Sequence, residues 1–218
     1  MTLAMTIATV QPQVPLFHTP GAYRLRTLAA LVFALGITYG TAMGLYSLGH
    51  GRSLQIVYSA VKVPLLLMVT FALSLPSFFV LNTLLGVRDD FRDALRAHVQ
   101  AQAALTLVLC SLAPFTLLWY ASSAFYPHAV LVNAVMFGVA SLAAQVVLKR
   151  LYRPLIARNR SHLTLLRAWL VLYAFVGIQL GWVLRPFIGQ PGSAVSFFRE
   201  GAWGNAYIEV WRMIQRSL

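Results

Sequence analysis

Charge is what this chain has least of. Only 10% of its 218 residues are Asp, Glu, Lys or Arg, against about 25% in a soluble globular domain. That excludes an ordinary water-soluble fold. A hydrophobic share of 59% excludes a disordered chain, whose composition is too polar to bury a core. Acidic residues are scarcest, 5 against 17 Lys and Arg, leaving a formal net charge of +12. Cysteine is limited to Cys110. One thiol makes neither an intramolecular disulfide nor a cysteine cluster for zinc or iron–sulfur, so a disulfide scaffold is excluded too. The histidines His18, His50, His98, His128 and His162 are scattered without metal-ligand spacing. A P-loop, a dinucleotide fingerprint and a haem-attachment motif are missing, and neither metal nor cofactor is expected. Residues 1–23 contain no Lys or Arg, so the N-terminus does not read as a signal peptide, which opens on a basic region.

What is present is apolar length. The mean hydropathy is +0.73, and a transmembrane helix needs about 20 predominantly apolar residues. The pattern predicts an all-α, polytopic membrane protein with five transmembrane helices plus a short C-terminal interfacial amphipathic helix. The spans are expected at 27–48, 63–86, 100–121, 128–148 and 168–184. Residues 54–60 form an interfacial turn or a tilted extension of the second span. Residues 87–99 read as a polar connector, and 149–162, KRLYRPLIARNRSH, as the most basic loop. The chain divides into an irregular tail (1–22), a five-helix transmembrane domain (23–189) and a C-terminal tail with the interfacial helix (190–218). In that last tail Trp203, Tyr207, Val210, Trp211 and Ile214 fall near helical spacing, with Glu209, Arg212 and Arg216 elsewhere on the wheel. A helix of that pattern lies on a bilayer surface or packs against the bundle's own loops.

Basic residues set the orientation. Arg24, Arg26, Arg88, Arg92, Arg96, Lys149, Arg150, Arg153, Arg158 and Arg160 share one side, and the opposite loops carry only Arg52. The N-terminus is therefore expected in the cytoplasm and the C-terminus across the membrane. Arg185, Arg199, Arg212 and Arg216 in the tail run against this bias. The positive charge suits anionic lipid head groups better than nucleic acid, with Lys149, Arg150, Arg153, Arg158 and Arg160 as the head-group contacts.

Gly36, Gly40 and Gly44 recur every fourth residue and so lie nearly on one line of the first helix, and Gly177 and Gly181 repeat the spacing in the fifth. Such stripes let another helix approach closely, within the bundle or in a partner or second copy. Lys62 is placed at the outer edge of the second span, where its ammonium snorkels to the surface or forms an ion or lipid site. Pro76 and Pro114 lie mid-span and are expected to kink their helices. Asn82, Asn133, Gln145 and Gln179 are the polar remainder of the spans, suited to interhelical hydrogen bonds. Asp89, Asp90 and Asp93 sit beside Arg88 and Arg92, which makes mutual ion pairing the simple reading and a magnesium-assisted site the sharper one. Arg185, Phe197, Phe198, Trp203 and Trp211 form a membrane-end cap or an interfacial docking surface, since aromatic residues and Arg dominate contact energy.

Two stretches carry a resemblance. KVPLLLMVTFALSLPSFFVLNTLLG (62–86) and LRPFIGQPGSAVSFFREGAWGNAY (184–207) resemble the signature segments of an uncharacterised bacterial multi-pass membrane protein family. The five-span layout is similar in topology to Yip-family membrane proteins. The resemblance implies a bacterial inner membrane and carries no activity with it. The leading expectation is a non-enzymatic scaffold or accessory subunit that packs against partner helices. A small oligomeric transporter or channel and a lipid-modifying membrane enzyme remain as alternatives.

Overall fold

Helix propagates well beyond the uncharged stretches of this chain, because the charged turns that flank them are themselves amphipathic. The computed structural model describes residues 24–123, 125–189, 192, 195–199, 202–208 and 215. The expected irregular tail (1–22) lies outside the described residues, as do Trp211 and the Val210, Ile214, Glu209, Arg212 and Arg216 positions of the tail pattern. Five long helices are present: α1 (Leu25–Gly44), α2 (Ser53–Leu84), α3 (Phe91–Ser122), α4 (Tyr126–Arg158) and α5 (Ser161–Val183). A 3-10 turn, Leu45–His50, prolongs α1, and another, Arg88–Asp90, leads into α3. All five helices are long and apolar enough to cross a membrane, and no strand occurs among the described residues. A short C-terminal helix, α6, begins at 206–208.

Three boundaries differ from expectation. Residues 54–60 are the extension of the second span rather than a turn, forming the first two turns of α2. The supposed basic loop is helical as far as Arg158, and α5 starts after a two-residue break. Leu148, Leu151, Tyr152 and Leu155 recur at helical spacing and are buried, while Lys149, Arg150, Arg153, Arg158 and Arg160 point outward. Charge density marks a loop only where no apolar stripe runs through it. The polar connector before α3 behaves likewise: Ala94, Ala97 and His98 turn inward while Arg92 and Arg96 face out.

The helices alternate in direction. The start of α1, the α2–α3 connection and the α4–α5 break share one end, called here the Asp90 end. The α1–α2 and α3–α4 connections and the exit of α5 share the other. Helix α2 lies between α1 and α5, α1 also packs on α3, and α3 on α4. Helices α4 and α5 share much less contact than these neighbouring pairs.

The glycine stripe of α1 faces α2. A Cβ on Gly36 would lie 3.1 Å from the Pro64 Cβ, one on Gly40 2.8 Å from the Ala60 Cα, and one on Gly44 2.6 Å from the Ile56 Cα. This surface is occupied within the chain, which removes it as a partner face. Gly177 and Gly181 face the same helix from α5 at looser range, 3.5 Å from Thr70 Cγ2 and 4.0 Å from Leu66 Cδ1. Pro76 and Pro114 sit inside α2 and α3, which continue as helices on both sides of them. Two apolar clusters fill the bundle. One, near the exit of α5, includes Val32, Tyr39, Met43, Val63 and Leu109; the other, near Asp90, includes Phe78, Leu148, Tyr152, Leu165 and Trp169.

Gly40→Leu should lower the thermal unfolding midpoint in detergent, at a cost of about 1–3 kcal/mol from overpacking. Gly138→Leu, with nothing within 4 Å of its Cβ position, should leave it unchanged. Equal midpoints for the two variants would count against the α1–α2 contact.

Candidate functional site

Helix α5 ends at Val183, just ahead of Pro186, which disfavours the helical conformation at the residue before it. The chain instead crosses the end of the bundle as a strap, with Leu184 and Ile188 buried. Its carbonyls are no longer bonded within a helix, and side chains take them up. Lys62 Nζ donates to the Pro186 carbonyl at 2.6 Å. Gln55 Nε2 donates to Pro186 O at 3.3 Å and to Phe187 O at 3.2 Å. Ser59 Oγ donates to Phe187 O, and Tyr126 OH to Ile188 O at 3.3 Å. Gly189 completes the seat: a Cβ there would lie 3.0 Å from both Gln55 Cγ and Ser47 Oγ.

Gln55, Ser59 and Lys62 are spaced four and three residues apart, so they share one face of α2. All three are buried, and Lys62 is 0% exposed. The snorkelling expectation is thereby corrected. Helix α2 starts at Ser53 rather than near Val63, so Lys62 stands inside the bundle and not at its edge. Its ammonium finds oxygen in the unwound strap instead of in water, with the Phe197 ring 4.9 Å away.

Beside the strap stand two arginines. Arg185 lies over the Trp182 ring at 3.6 Å and Arg199 at 4.4 Å. Burial, and secondarily the neighbouring Arg199 charge, push the pKa of Arg185 down. Both arginines line a cavity of about 490 Å³ between α4, α2 and the strap, within the range of small-molecule sites, roughly 300–1,000 Å³. Below the arginines its wall is apolar, with Leu66, Val130, Ala134 and Phe137. A second cavity of about 410 Å³ continues between α4 and α5 towards His98 and shares Leu66 and Phe137 with the first. One face of α4, from Tyr126 to Leu148, lines both, a length of about 33 Å at the helical rise.

The remaining expected site residues fall elsewhere. Lys149, Arg150, Arg153, Arg158 and Arg160 are all at the Asp90 end and exposed. Arg158 pairs with Asp90 at 3.0 Å and with Asp93 at 3.6 Å. The buried His162 meets Asp90 at 3.0 Å. These contacts tie the α4–α5 break to the start of α3. Asp90 and Asp93 thus serve ion pairing, with Arg158 and His162 rather than with the neighbouring Arg88 and Arg92, and among the described residues no three potential metal-ligating side chains come together. His98 is enclosed by Phe78, Tyr152 and Trp169, with ring centroids at 4.7, 5.2 and 4.1 Å. Asn133 links three helices through Tyr39 OH at 3.2 Å and Tyr120 OH at 2.6 Å. Gln179 holds the tail through Gly204 O and the Ala206 N–H, and Tyr207 stacks on Phe175 at 4.8 Å. Of the docking residues, Phe197 packs edge-on against Tyr58 at 5.3 Å, whereas Phe198 is exposed and Trp203 is 81% exposed.

No protein-family model matches the chain, and no curated protein or solved structure matches it either. Gln55, Ser59 and Tyr126 are the site residues that composition and hydropathy do not single out. The available signal was the four–three spacing of Gln55, Ser59 and Lys62 in an otherwise apolar helix.

Lys62→Met keeps the stem and removes the ammonium, leaving the Pro186 carbonyl only the longer bond from Gln55, at a cost of about 1–3 kcal/mol. Amide hydrogen exchange at 187–189 should accelerate by roughly tenfold or more, with the mid-section of α3 unaffected. Unchanged exchange at the strap would show that the ammonium does not hold it.

Proposed function

We infer that this chain is a non-enzymatic integral membrane protein that holds an amphiphilic molecule in a lateral slot, as a scaffold or accessory subunit does. The observation that carries the reading is the cavity beside the strap, cationic at its mouth and apolar along α4. That is the polarity of a lipid, head outward and chain inward. The polar groups nearest to it support binding over catalysis: Lys62, Gln55, Ser59 and Tyr126 donate to strap carbonyls and so act to fix the wall of the slot.

The membrane is a bacterial cytoplasmic one, with the N-terminus inside and the strap on the far side. Exposed Arg92, Arg96, Lys149, Arg150, Arg153, Arg158 and Arg160 at the Asp90 end favour that orientation. They also suit contact with the anionic head groups of the inner leaflet. Any protein partner or second copy meets the outward faces of the bundle, since the α1 glycine stripe is covered by α2.

Two measurements test this. Native mass spectrometry of protein extracted directly from its membrane should show one bound lipid per chain, and Ala134→Trp, which fills the slot, should abolish it. Protein that carries no lipid before or after the substitution would remove the reading. For orientation, in a Cys110→Ala background a cysteine at position 123 should label with an impermeant maleimide in intact cells. One at position 159 should label only after permeabilisation, and the reverse pattern would invert the topology.

A further inference from the structure

The amphiphile reading leaves the head group unnamed, and the inference here rests on that reading. Three buried N–H donors, Nε of Arg185, Nε of Arg199 and Nε1 of Trp182, have no acceptor among the described residues. They form one cluster, because both guanidinium groups lie over the Trp182 ring. Buried donors are nearly always paired, and an unpaired one costs about 1–3 kcal/mol. The group that fits must therefore accept hydrogen bonds. It must also be negative: two of the three donors are cationic, and the Lys62 ammonium sits on the neighbouring Pro186 carbonyl. The described carboxylates, Asp89, Asp90 and Asp93, are at the opposite end of the bundle, and Glu200 and Glu209 lie outside the described residues.

The arginines also line the cavity whose lower wall is Leu66, Val130, Ala134 and Phe137. A free inorganic anion would satisfy the donors and leave this wall without an occupant. A fatty chain alone would fill the slot and leave the donors unpaired. A zwitterionic lipid would bring a further cation beside the two guanidinium groups. We propose that the slot binds one anionic phospholipid from the leaflet at the strap end. Its phosphodiester oxygens accept from Arg185 and Arg199, whose planar forks match phosphate. One acyl chain runs down α4 past Phe137 into the second cavity.

The test uses the full chain in mild detergent with equimolar dioleoyl phosphatidylglycerol and dioleoyl phosphatidylcholine, read by native mass spectrometry. The unsubstituted protein should retain phosphatidylglycerol about tenfold or more over phosphatidylcholine, a difference of about 1.4 kcal/mol or more. The Arg185→Gln, Arg199→Gln double variant should lose that preference. Because those changes also remove stacking on Trp182, Ala134→Trp supplies an independent variant, which should lose both lipids while both arginines remain. Arg24→Gln with Arg26→Gln, both exposed at the Asp90 end, should keep the preference, and its loss there would place the anion elsewhere and overturn the proposal. So would an undiminished preference in the Arg185, Arg199 variant. Equal retention of the two lipids by the unsubstituted chain, abolished by Ala134→Trp, would overturn the head group and leave the amphiphile reading standing. Retention of neither would overturn both. Excess inorganic phosphate should leave the lipid bound; displacement would reduce the site to a bare anion pocket and overturn the lipid.

Discussion

An ammonium inside a membrane bundle must be given oxygen ligands, and the carbonyls of a continuous helix already accept from the amide four residues on. Lys62 obtains one from backbone that has left the helix. The strap beyond α5 supplies the Pro186 carbonyl, and in turn the strap needs donors, because its own amides no longer pair in a ladder. Each requirement meets the other. Ser59 and Gln55 extend the arrangement about one and two turns along the same face of α2, to the carbonyls of Pro186 and Phe187. Without that polar face the strap would have no reason to lie across the bundle end. Arg185, Arg199 and the cavity they line would then lose the wall that positions them.

The same helix organises the packing. One side of α2 receives the α1 glycines, where a Cβ on Gly40 or Gly44 would come within 2.8 Å of α2 backbone atoms. Another side meets Gly177 and Gly181 of α5 at ordinary van der Waals range. In lipid, where burying apolar surface yields little, such close backbone contact is a main source of association energy. The contrast between the two stripes matters for the slot. Tight packing fixes α1 on α2. The looser α5 contact, together with the sparse contact between α4 and α5, leaves a seam open to the bilayer, and the two cavities lie along it.

The five spans were legible because uncharged length is a one-dimensional property, and each expected segment overlaps one of the five helices over most of its length. Their ends were not, because a turn such as 149–158 carries both a charge run and a buried stripe of Leu148, Leu151, Tyr152 and Leu155. Hydropathy averages the two and reports the charge. Lys62 was singled out correctly as unusual but placed wrongly, since its depth depends on where α2 begins. Gly36, Gly40 and Gly44 were legible as a packing face, whereas the identity of the opposing helix is a tertiary fact. The Arg185–Arg199–Trp182 cluster is harder still. Its members are 14 and 3 residues from Arg185 in the chain, and only the fold of the strap brings the guanidinium groups onto one indole ring.

The arginines at the strap end are what the inside-positive pattern fails to explain. Basic residues on the far side of a cytoplasmic membrane work against orientation during insertion, so they need a compensating use. Arg52 is held by interactions within the chain. Arg185 and Arg199 stack on Trp182, yet each keeps a buried Nε without an acceptor among the described residues. Stacking alone would be served by a fully solvated guanidinium, which keeps its hydration. Bringing two like charges together, burying donors of both, and setting them at the mouth of an apolar slot makes physical sense when a negative group completes the cluster. The charges that oppose the topology rule and the cavity that lacks a described occupant then have one cause.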